Sequence, residues 1–409
     1  MKKQLLFLIL FFCSNTFAQT AWTNYTTLNS PLTENSIRCI SIDAQGRKWI
    51  GTDYGLAVFD DVNWTIYLTS NSGLPDNAVR AVAFDSLQNA WIGTFNGGLA
   101  KFDGTSWTVY DITNSMLPDN FIKTLAFDSA GALWIGTLGG LAKFDGTNWV
   151  VFDQSNSLLQ SNNIGALHPT SNNRVFVGTV NGGLAIVDND TIKYVYTIAN
   201  GSGIPDNSQV GFDEDSSGNV WIATPANGIV VYRIVGGWFW YYLGNSLIPT
   251  NGLSALRFND DQSTVWLGTV DSGVVKRTGV VYRSYTTVNS PMPDNDVQCI
   301  ALDSNNVLWI GTATQGVVRF EESLLGINSL SPSNGLQAYP NPAKNFLTIK
   351  STAVFSYYKI CDVEGKDLFT ATTNAKETNA DVSSFTSGIY LLKLFFADGS
   401  VVVQKFAKE

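Results

Sequence analysis

The sequence predicts an all-β chain: a seven-bladed β-propeller of four-stranded blades, its N-terminal strand closing the last blade, followed by a small Ig-like β-sandwich. Three observations predict it. A Trp-Ile-Gly-Thr signature recurs seven times, at spacings of 42, 43, 42, 45, 45 and 43 residues. Each period breaks into four short β-rich runs separated by turn residues. The tail beyond residue 336 drops the period but keeps strands and Gly-containing turns. A fixed period in the low forties with four strands per unit describes a propeller blade.

The first element is a leader. "MKKQLLFLILFFCSNTFAQT" places two lysines before a short apolar run and a small residue before Gln19. That is a secretory signal peptide over residues 1–18, cleaved after Ala18. The run is too short to span a bilayer comfortably, and Phe11 and Phe12 before Cys13 do not suit lipoprotein cleavage. No other run reaches transmembrane length, so no transmembrane segment is expected after signal removal. The net charge is −9, and losing Lys2 and Lys3 makes it −9 − 2 = −11. An acidic chain without a basic cluster is not a nucleic-acid binder.

The propeller is expected over residues 19–322. The signature stands at Trp49, Trp91, Trp134 and Trp309, with relaxed copies at Phe176, Trp221 and Trp266. In the third unit, "FIKTLAFD" (121–128) alternates, "LWIGT" (133–137) follows a turn, "GLAKFD" (140–145) follows a glycine, and "WVVFD" (149–153) is the fourth strand. Blades pack face to face, so both faces of each sheet are buried and tryptophan is favoured. In "WIGT" the Trp and Gly share one face, Ile and Thr the other. The Gly is expected where the next blade's backbone comes close. Along the second unit's first strand, Ala81 and Ala83 share one face and Val82 and Phe84 the other, an alternation of small and large suited to a narrow centre.

The seventh unit lacks a fourth strand, while "WTNYTT" (22–27) is an orphan strand with the Trp-x-x-Tyr form of the other fourth strands. Ring closure by that strand accounts for both and hides an exposed edge.

The repeat "LPDN…D…G.LWIGT..GL..FDG..W..Y" resembles the two-component regulator propeller over about residues 22–322. The resemblance implies the propeller; the kinase parts that would carry a sensor-kinase function are absent from the sequence. Residues 323–336 read as a linker. The tail over 337–409 resembles the type A C-terminal sorting domain of the type IX (Por) secretion system. Tyr339-Pro340-Asn341-Pro342, Gly365-Lys366, Asp381-Val382-Ser383, Gly388-Ile389-Tyr390 and Lys405-Phe406 carry that resemblance. It implies passage through the periplasm, the type IX machinery as partner, and an extracellular or outer-membrane-surface location. An Ig-like binding module is the alternative.

Chemistry is sparse. The one histidine, His168, sits in the fourth unit's first strand where other copies carry Ala, so a structural substitution is expected. No Ser/His/Asp triad can be built away from it, and no His/Cys metal spacing exists. "DEDSSG" (213–218) starts like a calcium loop, but position twelve is Thr224 rather than Glu, and equivalent stretches elsewhere are turns. No cofactor is implied. Asp-Ser/Thr-x triplets make Ser86, Ser129 and Thr191 candidates for O-glycosylation, with plain turns the alternative. Cys39 and Cys299 each lie ten residues before their Trp, in units that closure makes neighbours. A disulfide there would staple the seam; two buried thiols are the alternative, because equivalent positions in adjacent blades tend to exceed the ~7 Å Cα limit. The aromatic run "GGWFWYY" (236–242) is expected to pad the fifth blade's outer strand, with sugar stacking as the alternative.

Recognition is expected instead in loops at one end of the central channel. The variable residues there are Asp53, Tyr54, Phe95, Asn96, Asn181, Asn227, Asp271 and Gln315. The function this supports is non-catalytic recognition of a glycan or protein. A metal-dependent propeller lyase or lactonase, and a structural adhesion component, stand as alternatives.

Overall fold

The structure, a computed structural model, describes residues 21–233, 237–322, 336–362, 367–396 and 401–409. The signal segment, the linker over 323–335 and Gly365-Lys366 lie outside them. No helix among the described residues is long and apolar enough to cross a membrane. The chain divides into two compact units, one of them Trp22–Phe320 and the other containing the tail.

The larger unit holds seven four-stranded antiparallel sheets. Blade 1 runs through Ile37–Ile42, Lys48–Thr52, Gly55–Phe59 and Trp64–Tyr67. Blades 2 to 6 open with Val79–Phe84, Ile122–Phe127, Ile164–Pro169, Gly211–Glu214 and Leu253–Phe258. Blade 7 is Val297–Leu302, Leu308–Thr312 and Val317–Phe320, completed by Trp22–Tyr25. Trp22 opposes Phe320 and Tyr25 opposes Val317, and the Trp22 and Phe320 rings stack 3.9 Å apart. The expected ring closure is therefore present. At the same seam the buried Lys48 lies 4.6 Å over the Trp309 ring and pairs with Asp61.

Every residue of the second strand in blade 1 is buried, and its side chains part to two layers. Trp49 packs with Leu74 and Val79 of blade 2, whereas Ile50 packs with Val307 and Trp309 of blade 7. The glycine of the signature faces the next blade as expected. A Cβ on Gly93 would meet Ile122 Cγ2 at 2.4 Å, and one on Gly311 would meet Ile37 Cγ2 at 2.7 Å. What comes close is chiefly the β-branched side chain opening the next blade, not its backbone.

Two polar devices recur. In five blades the aspartate after the first strand organises the turn and also reaches the signature indole, and blade 6 has Asn259 at that step. Asp128 Oδ1 accepts the Ala130 and Ala132 amides at 3.0 and 2.9 Å, and Oδ2 accepts Trp134 Nε1–H at 2.8 Å. Asp43, Asp85 and Asp215 hold Trp49, Trp91 and Trp221 in the same way. Blade 4 carries Phe176 in place of Trp, and there Thr170 stands in place of Asp. The asparagine of "PDN" joins neighbouring blades. Asn77 Oδ1 accepts the Thr69 amide at 2.8 Å, while its carbonyl accepts Gly55 N–H from blade 1 at 2.8 Å. Across the seam, Gly316 donates to the Asn35 carbonyl at 2.9 Å in the same manner.

The tail forms one five-stranded network in which the long strand Phe346–Cys361 pairs with Gln337–Tyr339, Asp367–Asp381 and Gly388–Phe396. Register shifts between Lys350 and Tyr357 switch the buried face from Leu347 and Ile349 to Tyr358 and Ile360. That switch lets one strand serve both layers of an Ig-like core. The core includes Phe355, Leu392, Leu394 and Phe406. Asn341 Oδ1 accepts the Ala407 amide at 2.8 Å, and the Tyr390 hydroxyl donates to the Thr386 carbonyl at 2.7 Å. The opening motif has cis peptide bonds before Pro340 and Pro342.

Candidate functional site

The first strands of all seven blades surround a central channel of about 310 Å³. A register shift opens six of these strands. In blade 1, Ile37 opposes Thr52 and Cys39 opposes Gly51, so Arg38 has no ladder partner. The same shift frees Arg80, Lys123, Gly165, Ser254 and Gln298. A bulge re-aims the extra residue, and each of these lines the channel. They form a tier at the end where the "PDN" and post-signature loops meet.

The tier is uneven. Blades 1 to 3 contribute Arg38, Arg80 and Lys123, whereas blades 4 to 6 contribute Gly165, Val210 and Ser254. Asp53 pairs with both arginines, its Oδ2 2.6 Å from Arg38 Nη2. Partial burial alone would raise the Asp53 carboxyl pKa, but the two guanidiniums outweigh it and hold it below the usual carboxylate value. Arg80 also lies 5.1 Å from the centroid of the Phe95 ring, which packs 4.3 Å from Phe121. Lys123 Nζ donates to Asn163 Oδ1 at 2.8 Å, and burial pushes its pKa down. Gln298 Nε2 donates to Asp296 Oδ1 at 2.6 Å. The Ser254 hydroxyl is buried and has no hydrogen-bond partner.

Of the eight loop residues singled out from sequence, Asp53 and Phe95 touch this tier, and none of the eight lines the channel itself. Tyr54 is 62% exposed beside it. The others are engaged by their own or a neighbouring loop. The Asn96 amide donates to Asp76 Oδ2 at 2.8 Å, and the Asn227 side chain donates to Asp206 Oδ2 at 3.1 Å. Asn181 adopts φ 63° with Ser208 as partner, Asp271 accepts from Thr250 and Ser272, and Gln315 N–H donates to Thr312 Oγ1. The lining residues Arg38, Arg80, Lys123 and Gln298 were not selected from sequence. Their signal is a long polar side chain directly after the buried β-branched residue that opens the first strand.

His168 lies at the opposite end of the channel, one residue before the end of its strand. At the matching step of blades 5 and 6 stand Asp213 and Arg257, where blades 2 and 3 carry Ala83 and Ala126. Its Nε2 is buried without a hydrogen-bond partner, 3.9 Å from Glu214 Oε2. Burial pushes its pKa down, against the pull of Asp213. Asp213 Oδ2 accepts the Phe258 amide at 2.7 Å, and Glu214 accepts from the amide and hydroxyl of Ser171. Asp215 is the turn-and-indole aspartate of blade 5. The carboxylates of the "DEDSSG" run are thus taken up by the fold, and among the described residues no group of three or more His, Cys, Asp or Glu is arranged to hold a metal ion.

Cys39 and Cys299 are free thiols, so the seam disulfide is not formed in this structure. Positions related by rotation about the ring point in the same sense. Cys39 packs toward the layer between blades 1 and 2, Cys299 toward the layer between blades 7 and 1. Burial pushes the Cys39 thiol up to about 12 and Cys299 upward too. Ser86, Ser129 and Thr191 are all exposed; Ser129 donates to Asn173 Oδ1 and Thr191 to the Asn189 carbonyl. Of the aromatic run, Trp238 packs against Tyr196 and Tyr232 and Tyr241 stacks on Trp221, while Phe239 and Tyr242 are exposed.

Comparison with known proteins agrees with both parts. The Secretion system C-terminal sorting domain matches residues 337–409, and the Two component regulator propeller matches residues 116–139 and 291–314. The sorting domain indicates export to the cell surface or outside the cell. No curated protein matches the sequence. The extracellular domain of the putative hybrid two component system BT3049 from B. thetaiotaomicron is similar in fold, with 20% identity, TM-score 0.66, 96% of this chain and 57% of that one. PorZ, a surface component of the type-IX secretion system of Porphyromonas gingivalis, shows 18% identity and TM-score 0.62, over 92% of this chain and 60% of that one. The chain thus spans less than two thirds of either structure. A streptogramin B lyase shows 15% identity and TM-score 0.59, over 73% of this chain and 97% of that one. At such identities the likeness concerns the fold.

Proposed function

We propose that this secretion-sorted propeller is a non-catalytic recognition module, displayed on the cell surface or released, whose glycan or protein ligand enters at the tier of Arg38, Arg80 and Lys123. One observation carries the reading. The repeats agree where residues build turns, layers and blade contacts, yet they diverge in charge and size at the tier lining the channel. Sevenfold structural demands cannot explain a sevenfold-asymmetric rim, whereas selection of a ligand can. Loops and strand ends on a rigid scaffold are where recognition is usually placed.

The ionisable groups support binding over chemistry. The mouth gathers three cations among carboxylates that are already engaged: Asp53 pairs with both arginines, Glu34 accepts the Asp53 amide, and Asp296 accepts from Gln298. The histidine sits at the far end with its ring nitrogen buried. The test is a thermal-shift screen of the exported chain against soluble polysaccharides and oligosaccharides, with calcium or with EDTA. A ligand that binds only the native state raises Tm. A rise with one saccharide class, lost in Lys123→Met, is the expected result. A rise with calcium alone would revive the lyase alternative, and His168→Ala and Asp271→Ala would then be assayed for turnover. No rise with any saccharide would replace the glycan reading by a protein partner or adhesion.

A further inference from the structure

The tier's three cations are unequally matched by carboxylates. Arg38 and Arg80 share a single carboxylate, Asp53. Glu34 bonds the Asp53 amide, and Asp296 is bonded by Gln298. Lys123 is half-buried, and its hydrogen bond goes to a neutral amide, Asn163. Removing an ammonium from water for a neutral partner costs free energy, and an oxyanion arriving beside it recovers that cost. The three cations occupy consecutive blades, so an incoming anion meets them as one arc. The facing arc of Gly165, Val210 and Ser254 leaves room for the rest of the molecule.

Two neighbours indicate what that molecule is. Phe95 is 36% exposed at the same arc and sits beside Arg80, offering an apolar face next to the cations. Asn163 and Gln298 offer uncharged hydrogen-bonding groups. An anionic group, an apolar ring face and several hydroxyls together describe an acidic sugar.

Resting on the recognition reading above, we propose that the channel mouth is an oxyanion subsite for a carboxylate-bearing saccharide. The carboxylate lies between Lys123 and Arg80, and the sugar ring lies against Phe95. Asp53 is a positioning residue that holds the two arginines and competes with the ligand for them.

The test is calorimetric titration of the exported full chain with three probes: trigalacturonate, the same trisaccharide with its carboxyl groups reduced to hydroxymethyl groups, and a short Asp/Glu peptide. The acid form is expected to bind at least about tenfold more tightly than the reduced form, the scale of a hydrogen bond to a charged group. Its affinity should fall with rising salt. Lys123→Met and Arg80→Gln should each weaken it by about tenfold or more, and Asp53→Asn should strengthen it. Melting curves show that each variant is folded. If both trisaccharides bind equally and both weaken in Lys123→Met, the oxyanion subsite is wrong and the recognition site stands. If the peptide binds at the tier as tightly as the uronate, the saccharide assignment is wrong. If no probe binds, or if binding ignores both Lys123→Met and Asp53→Asn, the subsite and its place in the channel are both overturned.

Discussion

Replacing Asp128 by Asn, a change of one atom, should destabilise the propeller nearly as much as a small cavity does. The wild-type carboxylate accepts three hydrogen bonds, two from turn amides and one from the Trp134 indole. Asn can present its oxygen to the amides, but its NH2 group then faces the indole N–H. Trp134 is 2% exposed, so water cannot supply the missing acceptor. An orphaned buried donor costs about 1–3 kcal/mol. The Ala130 amide is open to solvent and the Ala132 amide is not, so losing both bonds in Asp128→Ala adds about 1 kcal/mol, for a total near 3 kcal/mol. Trp134→Phe removes the donor but also indole packing, at about 1–2 kcal/mol. The pair should be coupled, with Asp128→Ala/Trp134→Phe less destabilised than the sum by about 1–2 kcal/mol. Blade 4 shows such a paired change in Thr170 and Phe176, whereas blade 6 keeps Trp266 with Asn259. Equilibrium urea unfolding of the four proteins measures the cycle. A coupling energy indistinguishable from zero, or an Asp128→Asn protein as stable as wild type, would refute the reasoning.

The remaining predictions concern the blade contacts, the seam and the thiols. Gly136→Ala places a methyl group 2.5 Å from Thr124 Cγ2 and 2.7 Å from Ile164 Cγ2, so a loss of about 1–3 kcal/mol by chemical denaturation is expected. At Gly146 an added Cβ meets open space and only the φ of +96° is unfavourable, so Gly146→Ala should cost about 1 kcal/mol. Trp22→Ala removes the ring stacked on Phe320 and should lower Tm by roughly 4 °C, about 2 kcal/mol for a half-buried tryptophan; an unchanged Tm in calorimetry would mean the seam does not hold the ring. Cys39 and Cys299 should resist a thiol reagent at pH 8 until denaturant is added. Because the folded Cys39 pKa is raised from 9.0 to about 12, its contribution to stability is full below pH 9 and is lost as pH rises from 9 towards 12. Denaturation midpoints across that range check the sign.

The period and the signature made the blade legible, because a sheet buried on both faces demands large apolar residues at fixed steps. The orphan Trp22 strand made closure legible for the same reason: an edge needs a partner. The mouth was less legible. Asp53 and Phe95 were found because they vary within a loop that the repeats otherwise share. Arg38, Arg80 and Lys123 were missed because simple alternation assigns them to a blade face, where a charge makes no sense. Only the register shift between Ile37 and Cys39, and its counterparts, turns them into the channel. That shift comes from backbone geometry at the loop–strand junction, and a hydropathy pattern does not record it. The lysine at the seam was missed for a related reason. Lys48 occupies a step where blades 2 and 3 carry Ala90 and Leu133, and its partners come from the far end of the chain and from a different turn.

The pairing of Trp22 with Phe320 also sets an order of events. The two residues lie about 300 positions apart, so the propeller's first strand waits for its last. Six blades have all four of their own strands in sequence, but the seventh cannot be finished until the whole propeller has been made. A chain threaded amino end first through a membrane therefore carries its own clasp in front and the eye for it at the back. Until the two meet, the ring is open, and completion coincides with delivery of the full repeat array.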